Sequence, residues 1–342
     1  MKVAVVGATG AVGLNILSIL EERSFPVDEL IPIASPRSVG RRLPFAGRSV
    51  EVVELSAETF DGVELALFDV DDPLAAEWAP IAAARGAIVI DNSAAWRMDP
   101  QVPLVVPEIN PQAAHDRPKG IIASPNCTTL AMIVPLAALH RQIPVERLIL
   151  ASYQAASGTG KVGIDDLWGQ TLEVTTAPDD ATSGLARNVL EAGNAFLHPI
   201  AMNFIPQCGS VKEDGYTSEE LKLCNETRKI MSLPELKVTA TCVRVPVAVS
   251  HGVAVHAEFK DPIDPDHARK WLSEADGVEV LDDPAAGVYP TALEAAGRDA
   301  CFVGRIRRDL FNDRALEMFC VADNLRKGAA LNTVQIAELL EL

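Results

Sequence analysis

Basic residues are scarce in this 342-residue sequence: 30 lysines and arginines stand against 47 aspartates and glutamates, a formal net charge of −17. Such an acidic surface repels phosphate backbones and anionic headgroups, which argues against nucleic acid and membrane surfaces as partners. Long apolar runs are also absent. The most apolar stretch, Leu130 to Leu139, is ten residues and contains Pro135, whereas a membrane-spanning helix needs about 20. At the amino end, four apolar residues after Met1-Lys2 lead straight into Gly7. That is shorter than the roughly 7–15-residue core of a signal peptide, so a cytoplasmic location is expected. The six cysteines, at 127, 208, 224, 242, 301 and 320, form no C-x-x-C pair and no zinc-ligand rhythm. In a reducing compartment they are free thiols. No repeat and no biased tract is present, and with 48% hydrophobic and 23% charged residues the chain falls outside the disordered class. At about 150 residues per domain, the length predicts one or two sizeable domains.

What is present is patterned. Lys2 to Val6 is a short apolar run ended by glycine, and Asn15 to Glu22 then shows helical spacing. Further apolar runs at Leu30–Ala34, Val63–Phe68 and Ala87–Ile90 alternate with helix-like segments such as Leu74–Ala84. Buried strands alternating with helices predict an α/β domain with a mostly parallel sheet. After about residue 125 the texture changes: Leu148–Ser152, Lys237–Val249 and Val253–Phe259 read as strands, the last two strictly alternating. These predict a second, α+β domain with a mixed sheet. Gly328–Leu342 has helical spacing and closes the fold, while Thr175–Gly184 reads as a connection inside the second domain.

Three motifs carry chemistry. Gly7-Ala8-Thr9-Gly10-Ala11-Val12-Gly13 sits between a strand and a helix, where glycines let backbone approach a pyrophosphate and the helix N-terminus offers it free N–H groups. The spacing is G-x-x-G-x-x-G, a variant of the dinucleotide fingerprint, and a tight turn that merely needs glycine is the other reading. Just past the second strand, Ser35-Pro36-Arg37-Ser38 offers arginine and hydroxyls where an NAD site usually has an acid, which favours NADP; a solvated surface arginine is the alternative. In Ser124-Pro125-Asn126-Cys127-Thr128-Thr129, Pro125 forbids an earlier helix start and Asn126 is a good N-cap. Cys127 then lies in the first turn, a position that favours thiolate; most cysteines, by contrast, are buried small apolar residues. In the run from Cys242 to Gly252, seven residues separate Arg244 from His251, which an unbroken strand would place on opposite faces. For both to reach one site the strand must end or bulge near Ser250. His251 with His256 lacks a nearby third ligand, so no metal site is assigned.

Taken together these residues resemble the aspartate-semialdehyde dehydrogenase family. The resemblance runs almost end to end, through GATGAVG at 7–13, ASPRSVG at 34–40, IDNSAAWRMDPQVPLVVPEIN at 90–110, ASPNCTT at 123–129, SYQAASGTG at 152–160, EELKLCNETRKI at 219–230, CVRVPV at 242–247, FVGRIRRDL at 302–310 and DNLRKGAALNTVQIAELL at 323–340. It implies a Rossmann-type NADP-binding domain formed by residues 1–126 and 323–342, and a catalytic and dimerisation domain over 127–322. It also implies NADPH-dependent reductive dephosphorylation of L-4-aspartyl phosphate to aspartate 4-semialdehyde, on the way to lysine, threonine, methionine and diaminopimelate, in a homodimer or homotetramer. By position, Cys127 matches the nucleophile that forms the thioester, Gln154 the residue orienting substrate and His251 the acid-base residue. Arg244 matches the holder of the substrate carboxylate, Arg97, Asn126 and Lys222 the phosphate set, and Glu220 a substrate-site wall. Thr9, Gly10, Ala11, Val12, Arg37, Ser38, Ser157, Gly158 and Asn324 match cofactor contacts, beside Gly7, Gly13 and Ser35 of the two loops. A related reductase of the N-acetyl-glutamyl-phosphate type and a non-catalytic paralogue are the competing readings.

Two departures from the family pattern carry expectations of their own. Asp69-Val70-Asp71-Asp72 follows the third strand where a small, Gly- or Ser-rich loop is usual, and three carboxylates near a pyrophosphate oppose its binding. Ser250-His251-Gly252 stands where Gly-His-Ser is usual, which predicts a reshaped turn.

Overall fold

The computed structural model describes residues 1–176 and 190–340. Most of the Thr175–Gly184 stretch therefore lies outside the described residues. The chain forms two compact units: Met1–Leu130 with Asn225–Glu235 and Leu325–Leu342, and Ala131–Cys224 with Leu236–Asn324.

The first unit is built on a six-stranded sheet. β1 (Lys2–Val6) and β2 (Glu29–Ala34) flank α1 (Ala11–Glu22) in sequence. A small hairpin of β3 (Arg42–Phe45) and β4 (Arg48–Glu51) and a short β5 (Val53–Glu54) follow, with no counterpart in the apolar pattern read from sequence. Then come β6 (Leu65–Phe68), α2 (Asp72–Ala84), β7 (Ile88–Asp91) and β8 (Ile121–Ala123). All pairings in the sheet are parallel and the order is β5-β2-β1-β6-β7-β8. Strands covered on both faces must be apolar throughout, and Val3 to Val6 are at most 1% exposed. The strand order reverses between β1 and β6, the place where open α/β sheets leave a crevice at their carboxyl ends.

The second unit carries the mixed sheet. After α3 (Cys127–Gln142), which begins in the first unit, come β9 (Val145–Gln154), α4 (Lys161–Thr176), α5 (Ser218–Ile230), β10 (Lys237–Arg244) and β11 (His251–Phe259). These are followed by α6 (Pro265–Ser273), β12 (Val278–Val280), the single turn α7 (Ala292–Ala295), β13 (Cys301–Arg308) and β14 (Ala315–Ala322). The order is β10-β9-β11-β14-β13-β12, with two parallel and three antiparallel pairs. The alternating run 237–249 is thus shorter as a strand than its pattern predicts. It stops at Arg244, and Ser250 takes a left-handed φ of 80° before β11 begins.

The chain then returns to the first unit. A π turn at Arg326–Ala330 leads into α8 (Leu331–Glu338), which buries Leu331, Val334, Ile336 and Ala337 in the core with Ile16, Leu17 and Leu20 of α1. Among the described residues no helix is long and apolar enough to cross a membrane.

Candidate active site

In the first unit, Gly7 and Gly13 are fixed by space rather than by taste. Gly7 has φ +92°, and a Cβ on it would stand 2.0 Å from the Asp69 carbonyl oxygen; one on Gly13 would stand 2.2 Å from the Gly7 oxygen. The turn is therefore clamped between β6 and α1. Gly10 is the N-cap of α1 with no side-chain cap and no acid in the helix's first turn, so the first N–H groups of α1 have no side-chain acceptor from the helix itself. Thr9 Oγ1 lies 3.4 Å from Ser38 Oγ, which joins the glycine turn to the Ser35–Ser38 loop. Arg37 in that loop is exposed and has no ion-pair partner among the described residues. An open helix mouth, a backbone too close for side chains and a nearby solvated arginine fit a phosphate-bearing dinucleotide.

The acidic loop behaves differently from the simple sum of its charges. Asp71 Oδ1 accepts the Leu74 N–H (3.2 Å) and caps α2. Asp72 Oδ1 accepts the Ala94 N–H (2.7 Å). Only Asp69 faces the glycine turn, its Oδ2 4.0 Å from the Cβ position of Gly10. Burial, then the Asp91 carboxylate, push the Asp69 carboxyl up to about 7, against the neighbouring Asn92 amide.

Still in the first unit, Asn126 caps α3 as its sequence predicts: Oδ1 accepts from the N–H of Thr128 (2.9 Å) and Thr129 (3.3 Å). Cys127 is the first residue of that helix and, alone of the six cysteines, is not fully buried. Two residues missed at the sequence level organise this region. Glu226, 1% exposed, accepts the Asn126 N–H at 2.6 Å on one oxygen and Arg97 Nη1 at 3.0 Å on the other. Arg97 also donates to the carbonyls of Ser124 (2.9 Å) and Asn92 (2.5 Å). Lys229, one turn on from Glu226, donates to the carbonyls of Arg97, Asp99 and Val102 at 2.7–2.8 Å. The only signal for them in sequence was their place in the EELKLCNETRKI string.

In the second unit, strand order solves the spacing problem of Arg244 and His251. Arg244 pairs with Gln154 where β10 and β9 end, and Gly252 pairs with Tyr153 where the antiparallel β11 begins. Gln154, Arg244 and His251 therefore share one end of the sheet, although the two residues seven apart lie on different strands. His251 is wholly buried. Its Nδ1 accepts the Ala155 N–H at 3.0 Å, which places the ring hydrogen of the neutral form on Nε2. Nε2 has no partner among the described residues. Burial, then the Arg244 charge, drive the imidazole down to about 3. Arg244 donates to the Ala155 carbonyl (2.8 Å), stacks its guanidinium 5.8 Å from the Phe196 ring and has no carboxylate partner among the described residues. It lines a cavity of about 300 Å³ with Phe196, His198, Gln207 and Cys208.

The loop after β9 covers these groups. A Cβ on Gly158 would stand 2.5 Å from Arg244 Nη1 and 3.3 Å from His251 Nε2. Asn324 fixes that loop, donating to Ser157 Oγ (2.9 Å) while its Oδ1 accepts the Ser250 N–H (2.8 Å).

Glu220 and Lys222 have other duties than their neighbours in sequence suggest. Glu220 Oε2 accepts the Thr217 N–H (2.7 Å), and Thr217 Oγ1 accepts the Glu220 N–H (3.3 Å), a capping box that opens α5. Its second oxygen accepts the Cys242 N–H at 3.0 Å. Glu219, next door, is the carboxylate beside Lys222, 3.4 Å away. Of the three cations that match substrate-binding positions, Arg97 and Lys222 thus carry carboxylate partners within their own units, and Arg244 has none among the described residues. His256 belongs elsewhere: it pairs with Glu317 at 2.5 Å, near Asp309 and Glu258, as a self-satisfied ion cluster without His251.

Residues 2–117 match the family model described as semialdehyde dehydrogenase, NAD binding domain, and residues 136–327 match semialdehyde dehydrogenase, dimerisation domain. An aspartate-semialdehyde dehydrogenase of Aquifex aeolicus is 47% identical over 341 residues, covering 99% of this chain and 97% of its own. One of Streptomyces akiyoshiensis is 48% identical over 343 residues, covering 99% and 98%. A crystal structure of aspartate semialdehyde dehydrogenase II from Vibrio cholerae, complexed with ASA, matches with a TM-score of 0.91 at 43% identity, covering 99% of this chain and 97% of that one.

Proposed function

The chain belongs to the aspartate-semialdehyde dehydrogenase family, and from that membership we propose that it converts L-4-aspartyl phosphate to aspartate 4-semialdehyde with NADPH. The observation that carries this reading is the state of His251. It is a neutral, wholly buried imidazole whose one ring hydrogen, on Nε2, has no acceptor among the described residues and lies against the same glycine as Arg244. Burying an N–H without a partner costs about 1–3 kcal/mol, which a structural histidine has no reason to bear.

Cys127, at the mouth of α3, attacks the acyl carbon as thiolate. The S–C bond forms, the C–O bond to phosphate breaks, and inorganic phosphate leaves toward Arg97, Asn126 and Lys222. Bound NADPH supplies the hydride that reduces the thioester. His251 donates its Nε2 hydrogen bond to the carbonyl oxygen as charge develops on it, and collapse of the tetrahedral adduct breaks C–S and releases the aldehyde. Arg244, with its charge unspent, holds the substrate carboxylate as a planar fork, and Gln154 orients the reacting end beside it. Glu219 rather than Glu220 is the acid available next to Lys222. Gly7 to Gly13 with Ser35, Arg37 and Ser38 hold the cofactor phosphates, and Ser157, Gly158 and Asn324 line its far end. The dimerisation-domain match supports a homodimer, and a homotetramer would be two such pairs. The chemistry and the acidic surface suit the cytoplasm.

The test is phosphate-dependent NADP reduction in the presence of aspartate semialdehyde, with N-acetyl-glutamate semialdehyde alongside. Turnover of the first alone is expected, with a loss of about 10³-fold or more in C127S. Preference for the second aldehyde, or turnover surviving C127S, overturns the assignment.

A further inference from the structure

Asp69 directly follows β6, which lies beside β1 where the strand order reverses; its N–H donates to the Val6 carbonyl (2.8 Å) and its own carbonyl backs Gly7. Its carboxylate is turned toward Gly10, the uncapped start of α1. Among the described residues, the groups that act on it, Asp91 and Asn92, include no cation. From β7 comes a second acid, Asp91, whose hydroxyl partner is Ser93 and on which Arg97 acts; Asn92 follows it. From the glycine turn comes only uncharged Thr9, and from the start of α2 come Asp71 and Asp72, both occupied by backbone N–H groups. Asp69 Oδ2 lies 4.0 Å from the Cβ position of Gly10, at the start of the helix whose N–H groups the dinucleotide reading assigns to a pyrophosphate, so carboxylate and ligand compete for one positive helix end.

We infer that Asp69 sets cofactor affinity in this chain by acting as a resident anion of the phosphate-binding turn, so that the dinucleotide binds with uptake of one proton from solvent onto its carboxylate. The inference rests on the dinucleotide reading above. The raised titration of Asp69 puts the change within the range where enzymes work, so the cofactor is held more tightly as the medium turns acidic.

The test is titration of NADPH into the full-length protein by fluorescence, from about pH 5.5 to about pH 8.5 at constant ionic strength, with D69N and D69S beside the wild type. The wild-type Kd is expected to rise with pH, approaching about tenfold per unit above neutrality. Both variants lose that limb and bind at least about tenfold tighter than wild type at the alkaline end. The titration of the cofactor's own phosphate is common to all three proteins and cancels in the comparison. Calorimetry in buffers of different ionisation heat should show close to one proton taken up by the wild type and less by the variants. A flat wild-type profile, or the same limb in both variants, overturns the inference. So does weaker alkaline binding in D69S, which would make the carboxylate a direct acceptor for the cofactor. No binding of NADPH by any of the three at any pH overturns the dinucleotide reading itself, and this inference with it.

Discussion

The glycine turn of the first unit and the sheet end of the second are built by opposite means. At the turn the work is done by backbone: Gly7 and Gly13 exist so that nothing intrudes, and the polar groups on offer are main-chain N–H. At the sheet end it is done by side chains from three strands, Gln154, Arg244 and His251, which meet only because β9 separates β10 from β11. A local device is written in seven consecutive residues, whereas a topological one is spread over nearly a hundred. The first fails when a side chain is added, and the second fails when a neighbour shifts.

The contrast is broken most severely at Gly13. G13A drives a methyl to 2.2 Å from the Gly7 carbonyl oxygen and 2.8 Å from Ala8 Cα, backbone atoms that cannot rotate aside. A loss of about 3–5 kcal/mol is expected, visible as a drop of several degrees or more in Tm. If G13A melts with the wild type, the turn is not clamped as described.

A subtler break lies at Gly158, where the added methyl meets the far end of Arg244 and the His251 ring. These side chains yield, so folding should survive in G158A. The displaced guanidinium should lower kcat/KM by about 10²-fold, with the change in Tm small. Equal damage to Tm and to turnover would mean that the loop is structural only.

The smallest effect sharpens the comparison through pH. His251 is depressed to about 3 in the folded protein, by burial first and by Arg244 second. The unfolded chain takes up its proton at about 6.5, the folded one only near 3, so stability conferred by the neutral ring is complete above about pH 6.5 and drains away as pH falls toward 3. The stability of wild type relative to H251Q, read from denaturant midpoints, should therefore be lower at about pH 5 than at about pH 7. The kcat/KM profile should show no His251 limb between pH 5 and 8.

How much of this was legible in the sequence follows the same division. The turn, the α/β alternation and the Asn126 cap over Cys127 are short-range patterns, and the structure places each where its residues predict. The meeting of Arg244 with His251 was legible from the family resemblance, on the condition that the strand end before Ser250, as it does; spacing alone did not show it, because it says nothing about which strand is inserted between two others. The division of labour between Glu219 and Glu220 was not legible, since adjacent acids at a helix start differ only in which backbone N–H lies within reach. Glu226 and Lys229 escaped because a buried charge that serves backbone groups on a distant segment leaves no local trace. The acidic loop divides for the converse reason: Asp71 and Asp72, counted as free charge, accept backbone N–H groups, and Asp69 alone faces the glycine turn.

The amide of Asn324, beside the direct hydrogen bonds from Ala155 N–H to His251 and from Ser157 N–H to the Ala248 carbonyl, ties the loop holding Ser157 to the left-handed residue just before His251. Tethers shared by two segments remove their independence, so whatever admits a ligand beneath the first must carry the second along. The imidazole and its covering loop are thereby held in one register, and a change that displaces either is felt by the other.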